Sequence, residues 1–140
     1  MQTRRKFLKA GCIHCAAMLG AGMLLESCSS SIHLYKAPSA SPRLMVPVQE
    51  FMPDKNMIIV RTKDLENDIL LVKKGEHYNA LYLQCTHEGV GLSAMATKIV
   101  CTAHGSVFDL DGNVVKEPAL KPLRKFETTL IENNVLINLT

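Results

Sequence analysis

Cys85-Thr86-His87 and Cys101-Thr102-Ala103-His104 each offer one thiol and one imidazole, and 13 residues separate them. Two cysteines in an exported chain can simply form a disulfide, and zinc accepts the same donor types. A structural zinc site, however, usually pairs like with like, two cysteines on one knuckle and two histidines on the other. Mixed pairs suit a binuclear centre, with both sulfurs on one iron and both nitrogens on its neighbour. Each stretch would then span both metals, and neither metal could leave without opening both stretches. No serine–histidine–acid grouping, phosphate loop or catalytic carboxylate pair accompanies them, so the pattern points to a carrier and leaves independent catalysis open.

The residues that follow extend the pattern. Gly105-Ser106-Val107-Phe108-Asp109 comes next, then Asp111-Gly112, Pro118-Ala119 and Pro122-Leu123. From about Tyr82 to Leu123 the chain resembles the Rieske iron–sulfur family. The resemblance implies one [2Fe–2S] cluster per chain, held by Cys85 and Cys101 on one iron and His87 and His104 on the other. Zinc on the same four residues is the remote alternative. The resemblance also implies that the edges of His87 and His104 are the port through which a redox partner exchanges electrons.

Other positions bear on how such a cluster would be tuned. Gly89 and Gly91 lie in the first stretch and Gly105 in the second, where glycine lets backbone N–H groups come close to cluster sulfurs and stabilise the reduced state. Ser106 matches a family serine whose hydroxyl donates to a bridging sulfide. Phe108 stands where high-potential members carry a tyrosine that donates to a ligand sulfur. Those members also have two bridging cysteines, at the positions of Val90 and Ala103 here, so the resemblance implies loops held without a disulfide. Glu88 adds a negative charge beside His87. Together these departures imply a potential below that of quinol-oxidising relatives, within the family range of about −150 to +300 mV.

The opening segment reads as an address. Arg4, Arg5, Lys6 and Lys9 precede a small and apolar stretch from Ala10 to Leu25, the arrangement of an export signal. The arginine pair resembles the twin-arginine motif, which is read by a receptor and implies export of a prefolded protein. Cys12 and Cys15 have C-x2-C spacing but fall inside this segment and would leave with it. Leu25-Glu26-Ser27-Cys28 resembles a lipoprotein-processing site, with Cys28 as the lipidated residue. The divisions expected are a signal over 1–27, a Ser/Pro-rich linker over 28–47 and a Rieske [2Fe–2S] domain over 48–140. An ordered strap from about Met45 onward is the alternative for the end of the linker. The expected location is the periplasmic side of a cell-envelope membrane, with a lipid or N-terminal anchor.

Charge adds one exclusion. Of 16 basic and 13 acidic side chains, the first 27 residues hold four basic and one acidic, leaving twelve of each in the remainder. A neutral body gives no electrostatic reason to expect nucleic acid as a partner.

The body reads as all-β. Strand-like runs occur at Met57–Arg61, Ile69–Val72, Tyr78–Gln84, Lys98–Val100, Val114–Lys116, Phe126–Ile131 and Val135–Leu139. Asn133-Asn134 is expected to turn a hairpin, and Gly91–Ala96 to give at most one helical turn. The resemblance implies antiparallel sheets carrying a small cluster-binding subdomain made by two loops. The function implied is one-electron transfer, as a membrane-tethered carrier or as the electron-transfer subunit of a larger oxidoreductase. The Rieske subunit of a quinol:cytochrome c complex or of an exported molybdenum oxidase is the alternative. The redox partner is not identified by the sequence.

Overall fold

Met57–Val60 and Ile69–Val72 are apolar at every position, so a strand made from either must bury both faces, because successive side chains point to opposite sides. The computed structural model describes residues 31–140 and shows this arrangement. The expected export segment, with Arg4, Arg5, Cys12, Cys15 and Cys28, lies outside the described residues. These runs form β3 (Met57–Arg61) and β4 (Ile69–Lys74), followed by β5 (His77–Tyr82). The three pair antiparallel in sequence order.

Side chains alternate between two cores. Ile58, Val60, Ile69, Leu71, Ala80 and Tyr82 enter one, while Met57, Leu70, Val72, Leu81 and Leu83 enter the other. Leu70 and Leu71 are both fully buried although they point opposite ways, each contributing roughly 1.5–3 kcal/mol.

The first core lies within a seven-stranded sheet ordered β1-β3-β4-β5-β10-β11-β2. It adds β1 (His33–Lys36), β2 (Arg43–Pro47), β10 (Lys125–Ile131) and β11 (Asn134–Asn138). All its pairings are antiparallel except that of β1 with β3. The two edge strands, β1 and β2, are joined directly by residues 37–42, a strap that can span no more than roughly 3.3–3.6 Å per residue. The sheet must therefore curl until its edges approach. Asp64 pins the strap by accepting from the Ser39 hydroxyl and, at 3.0 Å, from the Ala40 N–H. Leu44, Val46, Val135 and Ile137 seal the interior.

The linker expected over 28–47 therefore ends earlier than its composition suggests. His33–Lys36 and Arg43–Pro47 are strands of the sheet, and in the second of them Leu44 and Val46 alternate with exposed neighbours and are completely buried.

The second core is covered by a small four-stranded sheet, β6-β7-β8-β9, comprising β6 (Ser93–Ala94), β7 (Ile99–Val100), β8 (Val107–Phe108) and β9 (Val114–Lys116). Residues 91–96 make no helical turn: Ser93 and Ala94 pair with Val100 and Ile99. Among the described residues the only helical piece is a 3-10 turn at Val48–Glu50. The last hairpin turns at Glu132-Asn133, one residue earlier than expected. Glu132 takes the positive φ of 55°, and Asn134 already pairs with Ile131. No helix among the described residues is long and apolar enough to cross a membrane.

Candidate metal centre

Two loops leave the second core side by side. The first follows β5, and the second connects β7 to β8. Their backbones repeat one pattern. Cys85 N–H donates to the Val90 carbonyl at 2.8 Å, and Cys101 N–H to that of Ser106 at 2.9 Å. Gly89 N–H then donates back to the Cys85 carbonyl at 2.8 Å, and Gly105 N–H to that of Cys101 at 3.0 Å. This closure puts Gly89 at φ 75° and Gly105 at φ 81°, a region that suits glycine because it lacks a Cβ. Gly89 and Gly105 thus have a conformational reason to be there. At Gly91 an added Cβ would lie 2.9 Å from Asn67 Oδ1, so a larger residue there would push the Asn67 amide aside.

The matching frames divide the four candidate ligands by depth. Cys85 and Cys101 belong to the second core, 3% and 1% exposed. His87 and His104 lie at the exposed tips, their ring centroids 5.2 Å apart and their planes nearly perpendicular at 88°. Counted from its cysteine, the histidine is two residues on in the first loop and three in the second. Both rings nevertheless meet at one place.

The surroundings make the Cys101 thiol easier to ionise. Burial pushes the Cys101 thiol up, but the backbone N–H groups of His104 and Ala103 and the Cys85 side chain pull it down, while the Glu88 charge opposes them. The result lies below the ordinary thiol range. Thiolate is the form that ligates metals. Donors aimed at a sulfur also stabilise extra electron density on it.

A third segment ties the loops together. Thr86 Oγ1 donates to the Lys121 carbonyl at 2.6 Å, and the Ala119 N–H donates to Ser106 Oγ at 3.0 Å. Residues 119–121 are thereby attached to both loops. Val90 and Ala103, where the resemblance places bridging cysteines in high-potential members, are both exposed. Cys85 and Cys101 are not joined in a disulfide. Phe108 is fully buried in the core that contains both cysteines.

The sequence names Cys85, His87, Cys101 and His104 as candidate ligands but does not show three relationships. Thr86 reaches Lys121 across 35 residues, and Asn67 packs behind Gly91. Glu88, expected beside His87, approaches the histidine of the other loop: its Oε2 is 3.6 Å from His104 Nδ1. None of these long-range contacts has a local sequence signal. The other histidines of the body lie away from the site, His33 paired with Glu50 at 3.0 Å and His77 exposed on β5.

The Rieske [2Fe-2S] domain model matches residues 43–127, more than half of the chain. The chain belongs to the Rieske [2Fe–2S] domain family, whose cofactor is a [2Fe–2S] cluster. Over 99 residues it is 28% identical to cytochrome b6-f complex iron-sulfur subunit 3 of Nostoc sp. (strain PCC 7120), covering 66% of this chain and 56% of that protein. The chain thus spans a little over half the length of that relative. The crystal structure of the cyanobacterial plasma membrane Rieske protein PetC3 from Synechocystis PCC 6803 is similar at TM-score 0.51 and 26% identity, over 59% of this chain and 86% of that one. A hyperthermophilic respiratory Complex III structure shares the fold at TM-score 0.53 and 19% identity, over 93% of this chain and 94% of the matched chain.

The residues present suit the family's cofactor. Two thiols on the buried side and two imidazoles on the exposed side are the donor types that a Rieske cluster takes from its protein.

Proposed function

We propose that this protein is a one-electron carrier in which Cys85 and Cys101 bind one iron of the cluster and His87 and His104 bind the other. The observation that carries this reading is that two loops with the same backbone frame each place a cysteine in one buried core and a histidine at an exposed tip, where the two rings meet. When bound, a Rieske cluster supplies one-electron redox chemistry. The chain's contribution is to keep the sulfurs dry, to aim N–H donors at Cys101, and to leave the His87 and His104 edges open to a partner.

Metal and sulfide analysis of the purified protein tests the assignment. About two irons and two inorganic sulfides per chain are expected, with visible absorption that Cys101→Ser and His104→Ala each abolish. Colourless protein with stoichiometric zinc would overturn it.

Export and tethering belong to the same reading. The twin-arginine-like opening and Cys28 support a lipid-anchored protein facing the periplasm, and similarity to a plasma membrane Rieske protein agrees with a membrane setting. Replacing Arg4 and Arg5 with lysine is expected to leave the protein in the cytoplasm; normal export would refute the address. Similarity to a cytochrome b6-f subunit favours, as a second reading, service as the Rieske subunit of a quinol-oxidising complex. Val90, Ala103 and Phe108 weigh toward the separate carrier or the subunit of another oxidoreductase. Co-purification of the membrane-bound form with a cytochrome complex would decide for the second reading.

A further inference from the structure

The shared loop frame gives Glu88 a particular place. Counted from the cysteine, Glu88 occupies in the first loop the position that His104 occupies in the second. Its carboxylate thereby faces the opposite loop. Glu88 Oε2 is 3.6 Å from His104 Nδ1, and the ligand-type atoms of His87, Glu88 and His104 all lie within 4.8 Å of one another. The Glu88 and His104 side chains are 56% and 47% exposed, so solvent reaches the carboxylate. Among the described residues no lysine or arginine forms an ion pair with it. A negative charge without a basic partner therefore stands at the edge where the two histidines meet.

We propose that Glu88 is a tuning residue of the electron port, a fixed negative charge that lowers the reduction potential through its place beside His104; the inference rests on the ligand assignment above. Reduction adds one electron, taken from the external reductant, and breaks no bond in the protein. The added negative charge arrives behind His87 and His104, where a carboxylate disfavours it by Coulomb repulsion. Because Glu88 faces solvent, dissolved salt screens much of this effect. Glu88 thus links the potential to ionic strength.

The test is a redox titration of the full holoprotein at one fixed pH, in low and high salt, with visible circular dichroism recorded throughout. Wild type is compared with Glu88→Asp, Glu88→Gln and Glu88→Lys. The potential is expected to rise from wild type to the glutamine variant and again to the lysine variant, while the aspartate variant stays near wild type. The differences should narrow in high salt. An unchanged potential in the glutamine and lysine variants, with the wild-type spectrum retained, would overturn the inference and leave the ligand assignment standing. A wild-type protein without visible bands would instead overturn the assignment, and the inference with it. If lysine disrupts the spectrum, the glutamine variant decides, since it removes the charge at nearly constant volume.

Discussion

The Ala119 N–H donates to Ser106 Oγ at 3.0 Å, and both residues are completely buried. With its oxygen accepting that bond, the Ser106 hydroxyl keeps its own proton available for a second partner on the cluster side. Ser106→Ala should therefore have two effects. Leaving a buried N–H unpaired costs about 1–3 kcal/mol, read as a lower urea midpoint. Losing a donor near the sulfurs should lower the reduction potential, read by voltammetry. A stability loss with no change in potential would show that the hydroxyl proton points elsewhere.

Thr86 and Lys121 make the corresponding attachment for the first loop. Thr86→Val keeps the shape and removes the donor, at a cost of about 1 kcal/mol. Bleaching of the visible spectrum on mild heating should become several-fold faster, and Thr86→Ser should restore most of the lost lifetime. Equal bleaching rates in all three proteins would mean that the bond does not hold the loop.

Phe108 is buried in the core that holds both cysteines. Phe108→Tyr adds one hydroxyl there. If that hydroxyl donates to a sulfur, the potential rises, because the reduced state carries more electron density to stabilise. Otherwise the new polar group is unpaired and destabilises the fold by about 1–3 kcal/mol. We expect the rise, and voltammetry alongside urea unfolding separates the two results.

Acid should loosen the turn beneath β9. Burial pushes the Asp109 carboxyl up, but the Asn113 side chain and backbone, the Asp111 backbone and the Lys74 charge pull it down, leaving it below the ordinary carboxylate range. A carboxyl depressed in the folded state contributes stability that is present above its unfolded value, about 3.9. That contribution is lost as pH falls through the lower folded value. Urea midpoints measured from pH 5 to pH 2 should fall less steeply in Asp109→Asn than in wild type. Asp64 is depressed as well, so part of the slope should survive the substitution.

Legibility in the sequence tracked whether a feature depended on neighbours along the chain. The central strands were plain because Met57–Val60 and Ile69–Val72 carry apolar side chains at every position, which two-sided burial demands. The candidate ligands are plain because each loop completes its thiol–imidazole pair within four residues. The edge strands were hidden. His33–Lys36 and Arg43–Pro47 are short and flanked by serine and proline, and pairing with β3 and β11 makes them strands. The Glu132 turn was misplaced by one residue because strand register gave the positive φ to a glutamate and placed Asn134 in β11. Glu88 lies beside His87 as expected, and its further approach to His104 has no local signal because the two loops meet only once the fold has formed.

The strap over residues 37–42 has a practical bearing on where the domain can be cut. A protein started at Val48 would keep every candidate ligand yet lose both outermost strands, baring the hydrogen-bonding rims of β3 and β11. Unpaired rims of that kind invite association with other chains. For this molecule the shortest well-behaved unit thus begins upstream of His33, and the stretch that resembles a tether is also its clasp.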